Sequence, residues 1–258
     1  MDAHSVESAS QIKKSVDPYD ETLKASVEQL PRTYVRTTTV VLEAAFFLIK
    51  SGVLNIPDTG NVNVKQARAF LWNAIWLQKH MNAQWKLEEA RPSKSSKRCA
   101  SFNDFALAII GPGGTGKTAV LKVTEALIVF FAGQDTVQKL APSNAAARLL
   151  GGDTIHSLCK LPFGSKISLN SKKGRLKKST LRAHRKKWMQ SIAAFIDEIS
   201  MVPADQFLQC DVRMRQAKMK PEIRFGGLAV NLCGDFLQLP PVDRNGSKPS
   251  LAKAPRAT

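Results

Sequence analysis

The stretch Ile109-Ile110-Gly111-Pro112-Gly113-Gly114-Thr115-Gly116-Lys117-Thr118 limits what this chain can fold into more than any other. A short apolar run, Phe105 to Ile110, leads into it, and Thr118 to Ala132 reads as a helix, so the glycines sit where a strand hands over to a helix. Small residues there let backbone N–H groups turn inward, and the helix N-terminus adds partial positive charge, a combination that cradles phosphates. The spacing Gly111-x-x-x-x-Gly116-Lys117-Thr118 sets Lys117 to reach the β and γ phosphates and the Thr118 hydroxyl to hold Mg²⁺. Pro112, Gly113, Gly114 and Thr115 complete the loop.

Such a loop needs an acid at the end of a neighbouring strand. Ile192 to Ile196 is a short apolar run ending in Asp197-Glu198, with Asp197 placed to bind Mg²⁺ through water and Glu198 to orient and deprotonate the attacking water. Another strand, Leu228 to Cys233, runs into Gly234-Asp235-Phe236-Leu237-Gln238 and brings an amide to the open end of the same sheet. That amide can donate to a γ-phosphate oxygen and accept from the attacking water, so it can report whether the terminal phosphate is attached; the alternative is that Gln238 merely caps a strand. Val137 to Ala141 reads as a strand and Asn144 to Leu150 as a helix. Strands alternating with helices predict an α/β fold of the P-loop NTPase type, a parallel sheet with helices on both faces.

Upstream, residues 1 to 36 are polar and read as a loosely ordered leader, and residues 37 to 50 as a buried helix closed by Gly52. In residues 61 to 81, Ala67, Phe70, Leu71, Ala74 and Leu77 recur at helical spacing with Trp76 beside them, and residues 91 to 103 read as an exposed loop. The expected division is therefore an N-terminal extension over 1 to 60, partly helical, an ATPase domain over 61 to 242, and a disordered basic tail over 243 to 258.

Charge is unevenly spread. Residues 1 to 60 carry six basic and eight acidic side chains, whereas residues 61 to 258 carry 32 against 13. That surplus suits a polyanion, most simply nucleic acid, or else a surface tuned for solubility. The four cysteines, Cys99, Cys159, Cys210 and Cys233, are scattered with no C-x-x-C pair, which points away from a zinc ribbon or disulfide framework and fits a reducing compartment. The longest apolar run, Val40 to Ile49, is about half a membrane span and contains Glu43, so no membrane partner is expected. Acids at Asp2, Glu7, Asp17, Asp20 and Glu21 speak against a secretory or mitochondrial leader. An intracellular protein is expected, with the nucleus as the first expectation.

Taken together, these motifs resemble the Pif-type DNA helicases of superfamily one. GPGGTGKT matches the family's phosphate loop, IDEISMV its metal-binding segment and FGGLAVNLCGDFLQLPPV the segment with its phosphate-sensing glutamine. Asn63-x-x-Gln66-x-x-Ala69-Phe70 is similar to the family's adenine-reading motif, which implies that Gln66 lies against the base of ATP. LAPSNAAARLLGGDTIHSLCKLPFG resembles the first DNA-contacting segment, which implies DNA contacts for Pro142, Ser143, Asn144 and His156. The family has a glycine where Asn144 stands, and asparagine tolerates a positive φ, so the same turn is expected here. Leu140 stands where the family has a threonine, removing one hydroxyl. For His156 a histidine satisfied inside the fold is an equal alternative.

The resemblance covers roughly residues 61 to 242 and implies ATP with Mg²⁺, single-stranded or partly duplex DNA as partner, 5′ to 3′ polarity and a monomer. The family's motor also has a second RecA-like domain, with an arginine that completes the ATP site. After Val242 only DRNGSKPSLAKAPRAT remains, so the expectation is the first half of a helicase. Repair, recombination, telomere maintenance, mitochondrial DNA upkeep and transposition all use this family, and residues 1 to 60 select none of them. Two rivals stand beside the helicase reading: a catalytically silent fragment that binds ATP and DNA, and a P-loop enzyme that is not a motor.

One further feature is SKKGRLKKSTLRAHRKKW, Ser171 to Trp188, with nine Lys or Arg. It can contact phosphates without reading sequence, form a solvated loop or serve as a nuclear-import signal. Trp188 can stack on a base, or lie with Leu181 and His184 on one helix face packed against the domain.

Overall fold

The computed structural model describes residues 18–30, 39–55, 60–89, 105–161 and 176–238, together with the backbone of 242–243 and 246–247. Its helices are α1 Pro18–Glu28, α2 Val40–Lys50, α3 Val64–Glu89, α4 Lys117–Ala132, α5 Asn144–Leu150, α6 Ile155–Cys159, α7 Lys178–Met189 and α8 Ala204–Lys218. The strands are β1 Ala106–Ile110, β2 Val137–Ala141, β3 Asp153–Thr154, β4 Ala193–Ile196 and β5 Ala229–Gly234, with a short antiparallel pair, β6 Val242–Asp243 and β7 Gly246–Ser247.

Strands β1 to β5 form one sheet in the order β1-β5-β4-β2-β3. Every pairing in it is parallel. Parallel strands need both faces covered, and the side chains divide accordingly. Along β4, Ala193 and Phe195 enter one core with Ala229 and Cys233 of β5, while Ala194 and Ile196 enter the other with Val230. The first core is roofed by α1 to α4, the second by α6, α7 and α8. The expected α/β sheet with helices on both faces is the one observed.

Most predicted elements around the phosphate loop lie within a residue of their observed bounds. α3 runs farther than its apolar spacing suggested, to Glu89, with Ala67, Phe70, Ala74, Trp76 and Leu77 buried. The leader reading needs correction, because α1 is a helix whose Leu23 joins the first core and whose Asp20 pairs with Lys122 of α4 at 2.7 Å. Gly52 does follow α2, one residue past the Ser51 cap, at φ +88°. The paired backbone of β6 and β7, from Asp243 on, falls inside the tail expected to be disordered. The loop expected at 91 to 103 lies outside the described residues.

The parallel topology fixes where chemistry can occur. The carboxyl ends of β1, β5, β4 and β2 all face one edge, so the segments after Ile110, Gly234, Ile196 and Ala141 emerge side by side. Ligands of open α/β sheets bind at that edge.

Candidate nucleotide site and nucleic-acid interface

The loop after β1 turns on glycines where the backbone demands them. Gly114 and Gly116 have φ of +73° and +76°, a region costly for any residue with a Cβ, and Gly116 is the residue from which α4 starts. Thr115 Oγ1 donates to the Pro112 carbonyl at 2.8 Å and fixes the turn. The Lys117 ammonium lies along the loop, donating to the carbonyls of Gly111 and Pro112 at 2.8 Å each.

Asp197 ends β4 beside this loop. Its Oδ2 accepts from Thr118 Oγ1 at 3.4 Å and its Oδ1 from the Glu198 N–H at 2.9 Å, and the residue is buried. Thr118 and Asp197 thus offer adjacent hard oxygen donors, the set that suits Mg²⁺ when phosphate oxygens and water supply the rest. Glu198 follows with φ +51°, a strained position for a residue with a side chain. Burial, first, and then the Asp197 charge raise the Glu198 carboxyl above its ordinary range, and the Lys117 charge partly opposes them. Burial likewise pushes the Cys233 thiol up, with Asp197 adding to it.

Gln238 comes to the same place from β5. A Cβ placed on Gly113 would lie 3.0 Å from Gln238 Nε2, so the amide rests on the phosphate loop. Asp235, a buried residue, holds the turn that delivers it: its carboxylate accepts from the Leu237 N–H at 3.0 Å, and its carbonyl accepts from the Gln238 N–H at 3.1 Å. Gly234 is equally needed, since a Cβ there would meet Ile199 Cγ2 at 2.8 Å and the Ile199 N–H nitrogen at 3.0 Å. The turn after Glu198 and the glutamine turn therefore touch through a glycine.

Gln66, from the first turn of α3, donates through Nε2 to the Thr115 carbonyl at 2.8 Å. A Cβ on Gly116 would collide with the Gln66 amide. Asn63 Oδ1 accepts from the Gln66 N–H at 3.2 Å and so orients that turn. The predicted residues Lys117, Thr118, Asp197, Glu198, Gln238 and Gln66 thus gather around one loop.

At the adjacent end of β2, Pro142 and Ser143 are half-buried and Asn144 is exposed. Ser143 caps α5 by accepting from the Ala146 N–H at 3.2 Å. The expected positive φ at Asn144 is not found: it is the first residue of α5 and takes helical geometry, so no glycine-like turn is required of it. His156 sits in α6 with Nδ1 and the Gln206 Nε2 of α8 at 3.1 Å, a partner that no sequence pattern signalled. The stacking alternative for Trp188 is overturned, because its side chain is 0% exposed in the second core, in edge contact with His184. Among the described residues no group of three or more His, Cys, Asp or Glu could hold a metal by itself, and no helix is long and apolar enough to cross a membrane.

Residues 99–256 match the family model described as PIF1-like helicase. The chain is 33% identical over 148 residues to the ATP-dependent DNA helicase PIF1 of Saccharomyces cerevisiae, covering 57% of this chain and 17% of that protein. It is 38% identical over 148 residues to the ATP-dependent DNA helicase PIF6 of Trypanosoma brucei brucei, covering 56% and 17%. With the human ATP-dependent DNA helicase PIF1 it shares 35% identity over 174 residues, covering 63% and 24%. The chain spans between about a sixth and a quarter of the length of these relatives. A crystal structure of a Bacteroides Pif1 helicase with ADP-AlF3 and single-stranded DNA aligns at 28% identity and a TM-score of 0.45, covering 66% of this chain and 33% of that one.

Proposed function

The chain belongs to the PIF1-like helicase family, and from that premise we propose that it is the first ATP-binding domain of an ATP-dependent DNA helicase that couples hydrolysis to movement along single-stranded DNA. The observation that carries this reading is the meeting, at one sheet edge, of Thr118 with Asp197 at 3.4 Å and of Gln238 with the Gly113 backbone.

In the proposed mechanism the backbone N–H groups of residues 113 to 118 and the Lys117 ammonium bind the triphosphate, and Gln66 borders the base. Thr118 and Asp197 would hold Mg²⁺, which when bound neutralises charge on the β and γ phosphates. Glu198 holds the attacking water and takes its proton, and its half-buried setting keeps its basicity above that of a free carboxylate. Gln238 donates to a γ-phosphate oxygen and loses that partner once the bond is cleaved. Gly234 carries the change across to the turn after Glu198, and the strand of DNA lies over Pro142 to Asn144 and His156. A second RecA-like domain completes the site.

Steady-state ATP hydrolysis with and without single-stranded DNA tests the reading. Turnover that DNA stimulates, and that Lys117→Ala abolishes, supports it; turnover indifferent to DNA supports a P-loop enzyme that is not a motor. The chain spans about a sixth to a quarter of these relatives, and a second reading is that residues 1 to 258 by themselves bind ATP and DNA without turnover, because hydrolysis needs an arginine from a second domain. Binding of both ligands with no hydrolysis selects that reading. Nucleotide binding that chelation of Mg²⁺ weakens in the wild type, and much less in Asp197→Ala, locates the metal.

A further inference from the structure

The helix α7 carries an electrostatic cost that no acid in its own sequence offsets. From Thr154 to Ile196 the chain has 43 residues with eleven Lys or Arg and no acid. A surface built for solubility mixes both signs, and this one does not. Lys178, Arg182 and Lys186 follow one another at four-residue intervals on the exposed side of α7, turned away from the buried His184 and Trp188. Like charges four residues apart destabilise a helix by about 0.2–0.5 kcal/mol per pair. Lys177 and Lys178 also sit at the helix start, against its dipole, with no acid in the first turn and no side-chain cap.

The neighbouring cations of α7 are committed elsewhere. Lys187 pairs with Asp153 at 2.7 Å, and Arg185 Nε donates to the Gln216 carbonyl at 3.4 Å. Through the Lys187–Asp153 pair the row borders β3, which leads directly into α6 and His156. Successive members of the row are about 6 Å apart along the helix axis, comparable with the phosphate repeat of an extended strand. A row one side chain wide fits one backbone rather than the two of a duplex, and no exposed aromatic of α7 interrupts it to stack a base.

We propose that Lys178, Arg182 and Lys186 of α7 form a second binding track for the phosphate backbone of single-stranded nucleic acid, continuing the path that leaves the sheet edge at His156. The track reads no bases and acts by releasing counterions from the strand it neutralises. It rests on the proposed function to the extent that a strand reaches His156 at all.

The test is binding of an oligothymidylate of about twenty nucleotides, followed by fluorescence anisotropy across a salt series. K178Q/R182Q/K186Q should lower the slope of log affinity against log salt by about 2, and lower affinity at about 0.1 M salt on the order of 100-fold, because each phosphate neutralised on a single strand adds about 0.7 to that slope. Its melting temperature should equal or exceed that of the wild type, because the repulsion is gone. K50Q/K79Q/K86Q, which removes the same charge from α2 and α3, should leave the slope unchanged. Equal slopes in the wild type and the α7 variant overturn the track, as does an equal loss in the α2 and α3 control, which would make the effect one of net charge. A wild-type chain that binds no oligothymidylate overturns the proposed function and the track with it, so the two failures differ.

Discussion

Single residues decide whether the phosphate loop can form, and the glycines show how. Gly116 needs a positive φ and also a bare Cα, since a methyl group would enter the space of the Gln66 amide. Gly116→Ala should therefore cost about 1–2 kcal/mol of stability in backbone strain and displace Gln66 as well. Chemical denaturation with nucleotide titration checks both, and an ATP affinity unchanged in Gly116→Ala would remove Gln66 from the site. Gly111, Gly116, Lys117 and Thr118 were legible because their spacing is itself the chemistry. Gly234 was legible only as part of a motif, since what it must avoid, Ile199, lies 35 positions earlier in the chain and meets it only after folding. Asn144 shows the opposite case, in which a family comparison suggested a turn that the helix start at Ser143 makes unnecessary.

At the level of elements, strands and helices next to the phosphate loop stood out because they alternate and are apolar, whereas α8 was missed. Its buried side mixes Gln209 and Arg213 with Cys210, Met214 and Ala217, which dilutes the apolar spacing, and Arg213 donates through Nη1 to Gln216 Oε1 at 2.9 Å and through Nη2 to the Lys160 carbonyl at 3.3 Å, the latter a contact that sequence spacing does not disclose. The α7 to α8 seam also sets a pH dependence. Burial, against a weaker opposing bond to the Arg213 carbonyl, lowers His184 from 6.5 to about 4. Between those values the unfolded chain binds the proton and the folded chain does not, so the contribution is complete above about 6.5 and is lost as pH falls toward 4. The loss at the acid end is on the order of 3 kcal/mol for this imidazole. Melting temperature should hold between pH 7 and 8 and fall below about 6.5, with a shallower fall in His184→Gln; parallel curves for the two proteins would show that His184 titrates normally.

Across the whole molecule, the α1 to α4 side of the sheet depends on residues that composition had set apart as an extension. Leu23, Leu30, Val40, Val41, Ala44, Ala45, Leu48, Val53 and Leu54 share one core with Phe70, Leu77, Leu121 and Phe195. The Val41 N–H donates to Gln78 Oε1 at 2.7 Å, tying α2 to α3. Two asparagines continue the tie, with Asn231 Nδ2 of β5 donating to Asn73 Oδ1 of α3 at 2.8 Å. The polar leader hid this because a helix with few apolar positions still packs when its neighbours supply the rest. Removing residues 1 to 60 should expose that face and cost well over 5 kcal/mol, since each large buried side chain contributes about 1.5–3 kcal/mol. Loss of a cooperative thermal transition in the truncated chain is the expected result, and a truncated chain melting within a few degrees of the full one would make residues 61 to 242 a self-sufficient domain.

What joins these scales is the claim that Lys117, Asp197 and Gln238 surround one triphosphate. The most direct measurement is the ratio of ATPγS to ADP affinity in the wild type and in Gln238→Ala, by calorimetry. The ratio should fall about 10-fold in the variant while ADP affinity stays the same, because a hydrogen bond to a charged oxygen is worth about 1.5–3 kcal/mol and only the γ-phosphate receives it. An identical ratio in the two proteins would place the glutamine away from the triphosphate and contradict the account.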